Sequence, residues 1–275
     1  MPLYRSRLPA VLCVVFFATS SVALAQPARE YEPHVGQSGK DVVWVPTAQT
    51  LVDKMLDMAQ MTPNDYVIDL GSGDGRTVIT AAQRGAKAHG IEYNPEMVEL
   101  SKRNAAKAGV SGKATFVHAD IFESDFSSAT VLTLFLLTDL NIKLRPTILK
   151  MKPGTRVVSN TFGMGDWGPD QTVQAPAGCQ SFCRAQLWIV PADVEGTWQL
   201  GQGQLALQQR YQNFTGKLTT GNVIAPIGNG KLDGHKITFT AGGTEYTGRV
   251  SGNAMEGISK SAGGADAKWQ ATRAK

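Results

Sequence analysis

The chain has 275 residues, of which 42 % are hydrophobic and 8 % aromatic, and its formal net charge is +4. This length suits one large domain or two smaller ones, and the composition is ordinary for a globular protein. Because Arg5 and Arg7 supply two of the positive charges, the small and dispersed remainder does not indicate nucleic-acid binding.

The first 25 residues have the pattern of a secretory signal peptide. Two arginines precede a mostly apolar stretch from Leu8 to Leu24, and Ala23-Leu24-Ala25 is a small-residue cleavage site. The stretch is short for a membrane span and is interrupted by Pro9. The sequence therefore predicts an exported, periplasmic protein with no stable membrane span after cleavage. An uncleaved N-terminal membrane anchor is the alternative.

A glycine-rich loop follows the first buried-looking strand. Asp69 closes the apolar run from Val67, and glycines then occupy alternate positions 71, 73 and 75 before a helix-forming run from Thr77 to Arg84. A strand, a tight turn and a helix in this order bring backbone amides close to a ligand. Position 76 is arginine, so the G-x-G-x-x-G dinucleotide fingerprint is absent, and no G-K-[ST] follows to make a P-loop.

Alternating strands and helices follow the loop. A helix from Ala48 to Met61 precedes it. We then predict a strand over Ala86–Tyr93, a helix from Asn94-Pro95, a strand over Thr115–Ala119, a buried strand within Ala129–Leu137, a helix over Leu140–Met151 and a strand over Arg156–Asn160. Lys152-Pro153-Gly154 turns the chain into the last of these strands. This order predicts a doubly wound α/β domain.

Three features together resemble class I S-adenosylmethionine (SAM) dependent methyltransferases: the acid before the G-x-G-x-G loop, the acids that end the next two strands, and the Lys-Pro-Gly turn. The resemblance extends from about Val45 to Val190. It implies a Rossmann-like, seven-stranded domain, which we assign to residues 26–192, and it implies SAM as the cofactor. The resemblance implies no metal site.

The resemblance also implies which residues hold the cofactor. Glu92 would accept hydrogen bonds from both ribose hydroxyls, Asp120 would accept one from the adenine amino group, and Asp69 would organise the loop and the methionine moiety. The alternatives are that Glu92 is a solvated strand end and that Asp120 caps a short helix. The full predicted cofactor set is Thr47, Asp69, Gly71, Ser72, Gly73, Gly75, Glu92, Tyr93, Asp120 and Ile121.

Segments on either side of the loop indicate which kind of molecule would accept the methyl group. Three segments together resemble the small protein-lysine methyltransferases: Val45-Pro46-Thr47, the D-x-G-S-G-D-G-R loop and Trp167-Gly168-Pro169-Asp170. That family includes the mitochondrial enzyme acting on the c-subunit of ATP synthase. The resemblance implies a protein substrate, with Trp167 holding the lysine side chain and Asp166 or Asp170 orienting the amine or taking its proton. The alternative is that Trp167 packs within a loop and that Pro169 and Asp170 form a turn.

Other functions remain open at this stage. Leu136-Leu137-Thr138-Asp139 lacks the [DN]-P-P-[YF] pattern of enzymes that methylate planar amides and adenine amines. One alternative is a small-molecule methyltransferase. Another is a non-catalytic SAM-binding protein, or an envelope protein that acts through its C-terminal domain.

Two cysteines, Cys179 and Cys183, lie between the predicted strands Gln171–Ala175 and Arg184–Val190. The resemblance makes these strands a hairpin, and a disulfide across its tip would suit an oxidising compartment. Two unpaired thiols are the alternative. The C-x3-C spacing has no nearby histidine or further thiol, which argues against a zinc site.

The composition changes after residue 192. Short alternating runs are separated by Gly, Asn and Asp signals, and they predict a small antiparallel β barrel or meander over residues 193–275 that we assign to no family. Gly228-Asn229-Gly230 is interpreted as one of the turns. The predicted runs are 196–200, 205–209, 211–218, 236–240, 245–250, 254–258 and 268–273. We expect side chains to fill the interior of this domain, whose role would then be to stabilise the protein or to dock a partner. The alternative is that the domain holds a ligand in its interior.

Overall fold

A computed structural model of the chain describes residues 1–2, 30–175 and 179–274. The predicted signal peptide at residues 1–25 lies almost wholly outside the described residues. The chain divides into two compact units, residues 1–31 and residues 32–275, and all of the helices and strands belong to the second unit among the described residues.

The first part of this unit is a mixed sheet with helices on its faces. The helices are α1 Gln49–Met58, α2 Arg76–Gln83, α3 Pro95–Lys107 and α4 Thr138–Ile148. The strands are β1 Tyr66–Leu70, β2 Lys87–Glu92, β3 Ala114–His118, β4 Val131–Leu134, β5 Arg156–Asn160, β6 Gln171–Gln174 and β7 Arg184–Ile189. Their order is β3-β2-β1-β4-β5-β7-β6, with the first five parallel to one another and β7 antiparallel to both of its neighbours, β5 and β6. The predicted seven-stranded Rossmann-like sheet is confirmed.

Sequence chemistry explains the central elements. Every residue of β4 is buried, as expected of a parallel strand covered by helices on both faces. Asn94 caps α3 because its side chain accepts hydrogen bonds from the backbone amides of Glu96 and Met97, and Pro95 occupies the first helical position. Since the carboxyl ends of parallel strands share one edge, the residues after β3, β2, β1, β4 and β5 lie along a single line.

The β6–β7 hairpin is present, and Cys179 is bonded to Cys183. The alternative of two free thiols is therefore wrong for this structure. Phe182, one residue before the second cysteine, has a φ of 54°, in the left-handed region that side-chain-bearing residues rarely occupy.

The second part of the unit is a closed antiparallel barrel of β8 to β15, in the order β10-β11-β12-β13-β14-β15-β8-β9. The boundary that we predict at residue 192 falls between β7 and β8. The strands are β8 Gly196–Leu200, β9 Gly203–Arg210, β10 Asn213–Thr220, β11 Val223–Asp233, β12 Lys236–Ala241, β13 Thr244–Ser251, β14 Ala254–Ser261 and β15 Ala267–Arg273. Buried Trp198, Phe214, Phe239 and Trp269 belong to the cluster that fills its interior.

Two barrel predictions are wrong, one at residues 228–230 and one at Tyr211. Gly228-Asn229-Gly230 is not a turn but lies inside β11, where the pairing register with β12 shifts between Gly228 and Lys231. Asn229 has a φ of 53°, so the turn-like residues form a bulge within a strand. The actual turn before β10 includes Tyr211, which we predicted as a strand residue and which has a φ of 56°.

Candidate active site

A cavity of about 220 Å³ lies along the edge where the parallel strands end. Its wall includes the loops after β1 to β5, the segment before α1, and Phe182 from the connection between β6 and β7. Nine of the ten predicted cofactor residues line it, namely Thr47, Asp69, Gly71, Ser72, Gly73, Glu92, Tyr93, Asp120 and Ile121. The structure therefore brings together residues that are up to 74 positions apart in the sequence.

Gly75 is the exception. It is the cap residue of α2, with a φ of 82°, and it does not line the cavity. A Cβ at this position would lie 2.8 Å from the Phe116 ring and 2.9 Å from the Cβ of Ser101. We therefore correct its assignment: Gly75 allows the loop to pack on β3 and α3 rather than to approach a ligand.

The glycine loop and Glu92 form one rigid unit. The backbone amide of Gly73 donates to Oε2 of Glu92 at 2.9 Å, and the amide of Asn94 donates to Oε1 at 2.9 Å. A carboxylate has about four lone-pair sites, so lone pairs remain for two hydroxyl groups of a ligand. Gly71 and Gly73 line the cavity with φ values of 76° and 54°, a conformation that glycine adopts without strain. These features fit a ribose and its attached methionine chain.

Asp69 lies beneath this loop and is only 6 % exposed. Its Oδ1 accepts a hydrogen bond of 2.6 Å from the hydroxyl of Thr133. Burial raises the pKa of Asp69 to about 7, and the charges of Glu92 and Asp74 contribute in the same direction. A cationic group bound beside Asp69 would favour its ionised form, so this site fits the ammonium of a bound amino acid.

The segment before α1 is pinned to the loop. Arg76 is paired with Asp74 at 2.6 Å, and its other terminal nitrogen donates to the carbonyl of Thr47 at 2.8 Å. The hydroxyl of Thr47 accepts from the side-chain amide of Asn160 at the end of β5, at 3.2 Å. These contacts hold the predicted cofactor residue Thr47 against the loop, whereas Asn160 is absent from the predicted site.

At the opposite end of the cavity, Asp120 has two partners. Its Oδ1 accepts from the amide of Phe122 at 2.9 Å, and its Oδ2 is paired with Lys40. The hydrogen bond from Lys40 holds the pKa of Asp120 below its usual range. Lys40 also lies 4.7 Å from the centre of the Tyr93 ring. No sequence pattern predicts this contact, which joins a β-bridged turn at residues 38–43 to a loop some 80 positions later.

A cluster of three phenylalanines lines the end of the cavity next to β4 and β5. The ring centres of Phe135 and Phe162 are 6.1 Å apart, and Phe182 lies 5.4 Å from the first and 5.9 Å from the second. Leu137 and Phe182 are 46 % and 39 % exposed, so this end opens to solvent. Sequence reasoning missed all three rings, because they come from three separate loops.

The predicted acceptor residues Asp166, Trp167 and Asp170 do not line the cavity. Trp167 is completely buried, stacks on Tyr211 with ring centres 5.7 Å apart, and donates from Nε1 to the side chain of Gln212 at 2.9 Å. Tyr211 and Gln212 belong to the barrel. The assignment of Trp167 as a lysine-holding surface is corrected, because neither face of its ring is accessible.

The two acids take part in the same packing. Asp166 accepts from Arg145 at 2.5 Å and from the Tyr211 hydroxyl at 2.9 Å, and these hydrogen bonds lower its pKa to about 2. Asp170 accepts from the amide of Ile189 at 2.9 Å and is half-buried. Trp167 is therefore packed, as the alternative predicts, but the turn lies at residues 165–166 rather than at Pro169 and Asp170.

Comparison with known proteins places this geometry in a family. The family model described as "ANTKMT methyltransferase domain" matches residues 69–171. A protein-lysine N-methyltransferase of Saccharolobus islandicus is 43 % identical over 151 residues, which are 54 % of this chain and 89 % of that protein. The lysine N-methyltransferase of Mus musculus that is named for the ATP synthase c-subunit is 34 % identical over 130 residues, and the match spans 47 % of this chain and about half, 52 %, of that protein.

A solved methyltransferase structure is also similar to this chain. It is described as an RNA methyltransferase from Salinibacter ruber in complex with S-adenosylhomocysteine (SAH), and it is 45 % identical, with a TM-score of 0.51. The match covers 55 % of this chain and 96 % of that chain. The match to the Saccharolobus islandicus protein is near-complete for that protein, and the glycine loop with its Glu92 partner agrees with it. This chain therefore belongs to the SAM-dependent methyltransferase family that contains these protein-lysine N-methyltransferases.

Proposed function

We propose that this methyltransferase acts on the side-chain amine of a lysine in a protein. The observation that carries the proposal is the open aromatic end of the cavity, where Phe135, Phe162 and Phe182 meet. Faces of aromatic rings attract alkylammonium groups and pack against aliphatic chains, and lysine has both. The archaeal relative, a protein-lysine N-methyltransferase, supports the same acceptor.

The chain has groups for each part of the cofactor. Glu92 would accept hydrogen bonds from the ribose hydroxyls, Asp120 and Ile121 would contact the adenine, and Asp69 would pair with the methionine ammonium. When bound, SAM would supply a methyl group on a sulfonium: the lone pair of an amine bonds to the methyl carbon while the carbon–sulfur bond breaks and SAH leaves. The loops after β4 and β5 then have to direct that amine toward the methionine end of the cavity.

The acceptor amine has to lose a proton, since free lysine has a pKa of about 10.4. Among the described residues, those lining this end of the cavity are apolar: Phe135, Leu136, Leu137, Leu140, Phe162 and Phe182. The ring faces attract the incoming ammonium, but the loss of its water shell at this apolar end disfavours the charged form, so burial lowers the pKa of a lysine that enters. We infer that desolvation promotes deprotonation here and that the proton leaves to solvent rather than to a protein carboxylate.

Other acceptors fit the described residues less well. A nucleic-acid acceptor would need cations near its phosphates, and none of the six lining residues at this end is basic. A small-molecule acceptor would favour an enclosed pocket, whereas Leu137 and Phe182 leave this end open. Both remain outcomes of the test below.

The test uses the full chain, SAM with a labelled methyl group, and two mixtures of acceptors: envelope proteins and total RNA from the source organism. We expect label in protein, and mass spectrometry of the labelled peptides should locate the methyl groups on lysine. Label in RNA, or on a residue other than lysine, would refute the proposed acceptor. Glu92→Gln serves as the inactive control, so that any transfer by a contaminating enzyme is recognised.

The binding of SAM should depend on pH through Asp69. Below about pH 7 this carboxyl takes up a proton and loses its attraction for the ammonium, so the affinity should fall about tenfold per pH unit. Calorimetry between pH 5 and pH 8 measures this slope. Asp69→Asn should abolish the slope, whereas Asp120→Asn should keep it, because the lowered pKa of Asp120 keeps it ionised throughout. A slope that survives in Asp69→Asn would assign it to another group.

We further propose that the protein acts outside the cytosol, in the periplasm. The signal-peptide pattern of residues 1–25 supports export, and so does the Cys179–Cys183 disulfide, because disulfides persist in oxidising compartments. Within the described ranges, no helix has the length and apolar character needed to cross a membrane. Fractionation and N-terminal sequencing test this: a mature chain beginning at Gln26 is expected, and a full-length chain in the membrane fraction would instead support the anchor.

A further inference from the structure

Phe182 occupies an unusual position at the open end of the cavity. Its side chain is 39 % exposed, yet its ring lies within 6 Å of the ring centres of Phe135 and Phe162. Its φ of 54° is a backbone conformation that a phenylalanine rarely adopts. Strain of this kind persists only where the surrounding structure enforces it.

The disulfide supplies that constraint. Cys183 immediately precedes β7, and its carbonyl accepts from the amide of Ala175 at 2.6 Å, so pairing across the hairpin fixes this cysteine. Its bond to Cys179 closes a covalent ring of five residues that contains Phe182. The ring leaves Phe182 few conformations, and the one in the structure places its side chain over the cavity.

We propose that Phe182, held by the Cys179–Cys183 disulfide, is an acceptor-binding residue that completes a three-sided aromatic cage with Phe135 and Phe162. This inference rests on the proposed lysine acceptor. The cage has two fixed walls, since Phe135 follows β4 and Phe162 follows β5. The third wall is present only while the disulfide is closed.

This arrangement makes acceptor binding sensitive to redox state. A small dithiol attacks the disulfide, transfers two electrons and two protons to Cys179 and Cys183, and leaves as its cyclic disulfide. The two thiols then no longer fix Phe182. The groups assigned to SAM lie near the ends of β1 and β2, after β3 and before α1, and none belongs to the β6–β7 hairpin, so reduction should leave cofactor binding intact.

The experiment measures acceptor and cofactor separately in the full chain. The variants are Phe182→Ala, Phe182→Tyr and Cys179→Ser with Cys183→Ser, with Ile224→Ala as a matched control because it is an exposed apolar residue of the barrel, 62 % exposed. The readouts are SAH affinity, binding of the probe Nα-acetyl-lysine methylamide to SAH-loaded protein, and kcat and KM for methyl transfer to protein.

We expect Phe182→Ala and the double cysteine variant to weaken probe binding and to raise the KM for the acceptor by roughly tenfold. SAH affinity should change less than twofold in both. Phe182→Tyr keeps the aromatic face and should therefore retain acceptor binding. If residue 182 served only to shape the loop, acceptor binding would not depend on whether it is aromatic. Treatment of the wild type with dithiothreitol should reproduce the cysteine variant, and Ile224→Ala should resemble the wild type.

Two outcomes overturn the cage. One is equal probe binding and equal acceptor KM in the wild type, Phe182→Ala and the double cysteine variant. The other is a wild type that binds SAH but not the probe. Failure of the proposed function looks different: methyl transfer then occurs on another residue type or on RNA, and the effect of Phe182→Ala on the KM for that acceptor still decides whether this ring contacts it.

Discussion

Replacing Trp167 with alanine is expected to lower the free energy of unfolding by about 3–5 kcal/mol, the usual cost of removing a large buried aromatic side chain. Trp167 has no exposed surface and packs between Trp188 and Tyr211. Its Nε1 donates to Gln212, and its loss would leave that buried amide oxygen without this partner. Denaturant unfolding of the full chain measures the effect, and barrel and sheet should unfold at a lower midpoint.

The matched variant Trp167→Phe separates packing from hydrogen bonding. It keeps much of the ring volume but removes the Nε1 donor, so we expect a smaller loss, about 1–3 kcal/mol. At a temperature where both variants are folded, SAH affinity should stay within twofold of the wild type. If Trp167→Ala instead abolished methyl transfer while the unfolding midpoint stayed unchanged, Trp167 would contact the acceptor after all.

The contrast between Trp167 and Glu92 shows how far the sequence predicts the site. The positions of Glu92 and Asp120 follow from strand order alone, because each ends a parallel strand at the shared edge of the sheet. Such residues are predictable from local pattern. Trp167 lies in an irregular segment after β5, where the same residues suit either a binding surface or a packed joint, and the sequence does not say that the barrel covers it.

The missed residues have a common physical cause. Lys40, Phe135 and Phe182 reach the cavity through tertiary contacts between loops, and no periodicity or spacing records those contacts. The fold itself was more predictable, since the alternating strands and helices carry strong local signals. In the barrel, the same local signals misled at Asn229, because glycine and asparagine favour left-handed conformations both in turns and in bulges.

Replacing Glu92 with alanine is expected to weaken SAM and SAH binding by at least about 100-fold. Hydrogen bonds to a charged group contribute about 1.5–3 kcal/mol each, and two ribose hydroxyls would lose their acceptor. The change also removes the partner of the Gly73 and Asn94 amides, so the glycine loop loses the contact that fixes its position. Calorimetry with SAH measures the loss directly, without the need for an acceptor.

Glu92→Gln tests the hydrogen bonds of this side chain separately from its volume, because it preserves the size of the side chain while changing its hydrogen-bonding capacity. A carboxylate accepts at both oxygens, but an amide has one acceptor and one donor, so one of the two backbone N–H groups would face another N–H. We therefore expect Glu92→Gln to bind SAH nearly as poorly as Glu92→Ala. The control Glu96→Gln, four positions later on the exposed surface of α3, should bind like the wild type. SAH affinities within threefold of the wild type in both Glu92 variants would mean that the ribose is held elsewhere, and the cofactor would then have to lie differently across this edge of the sheet.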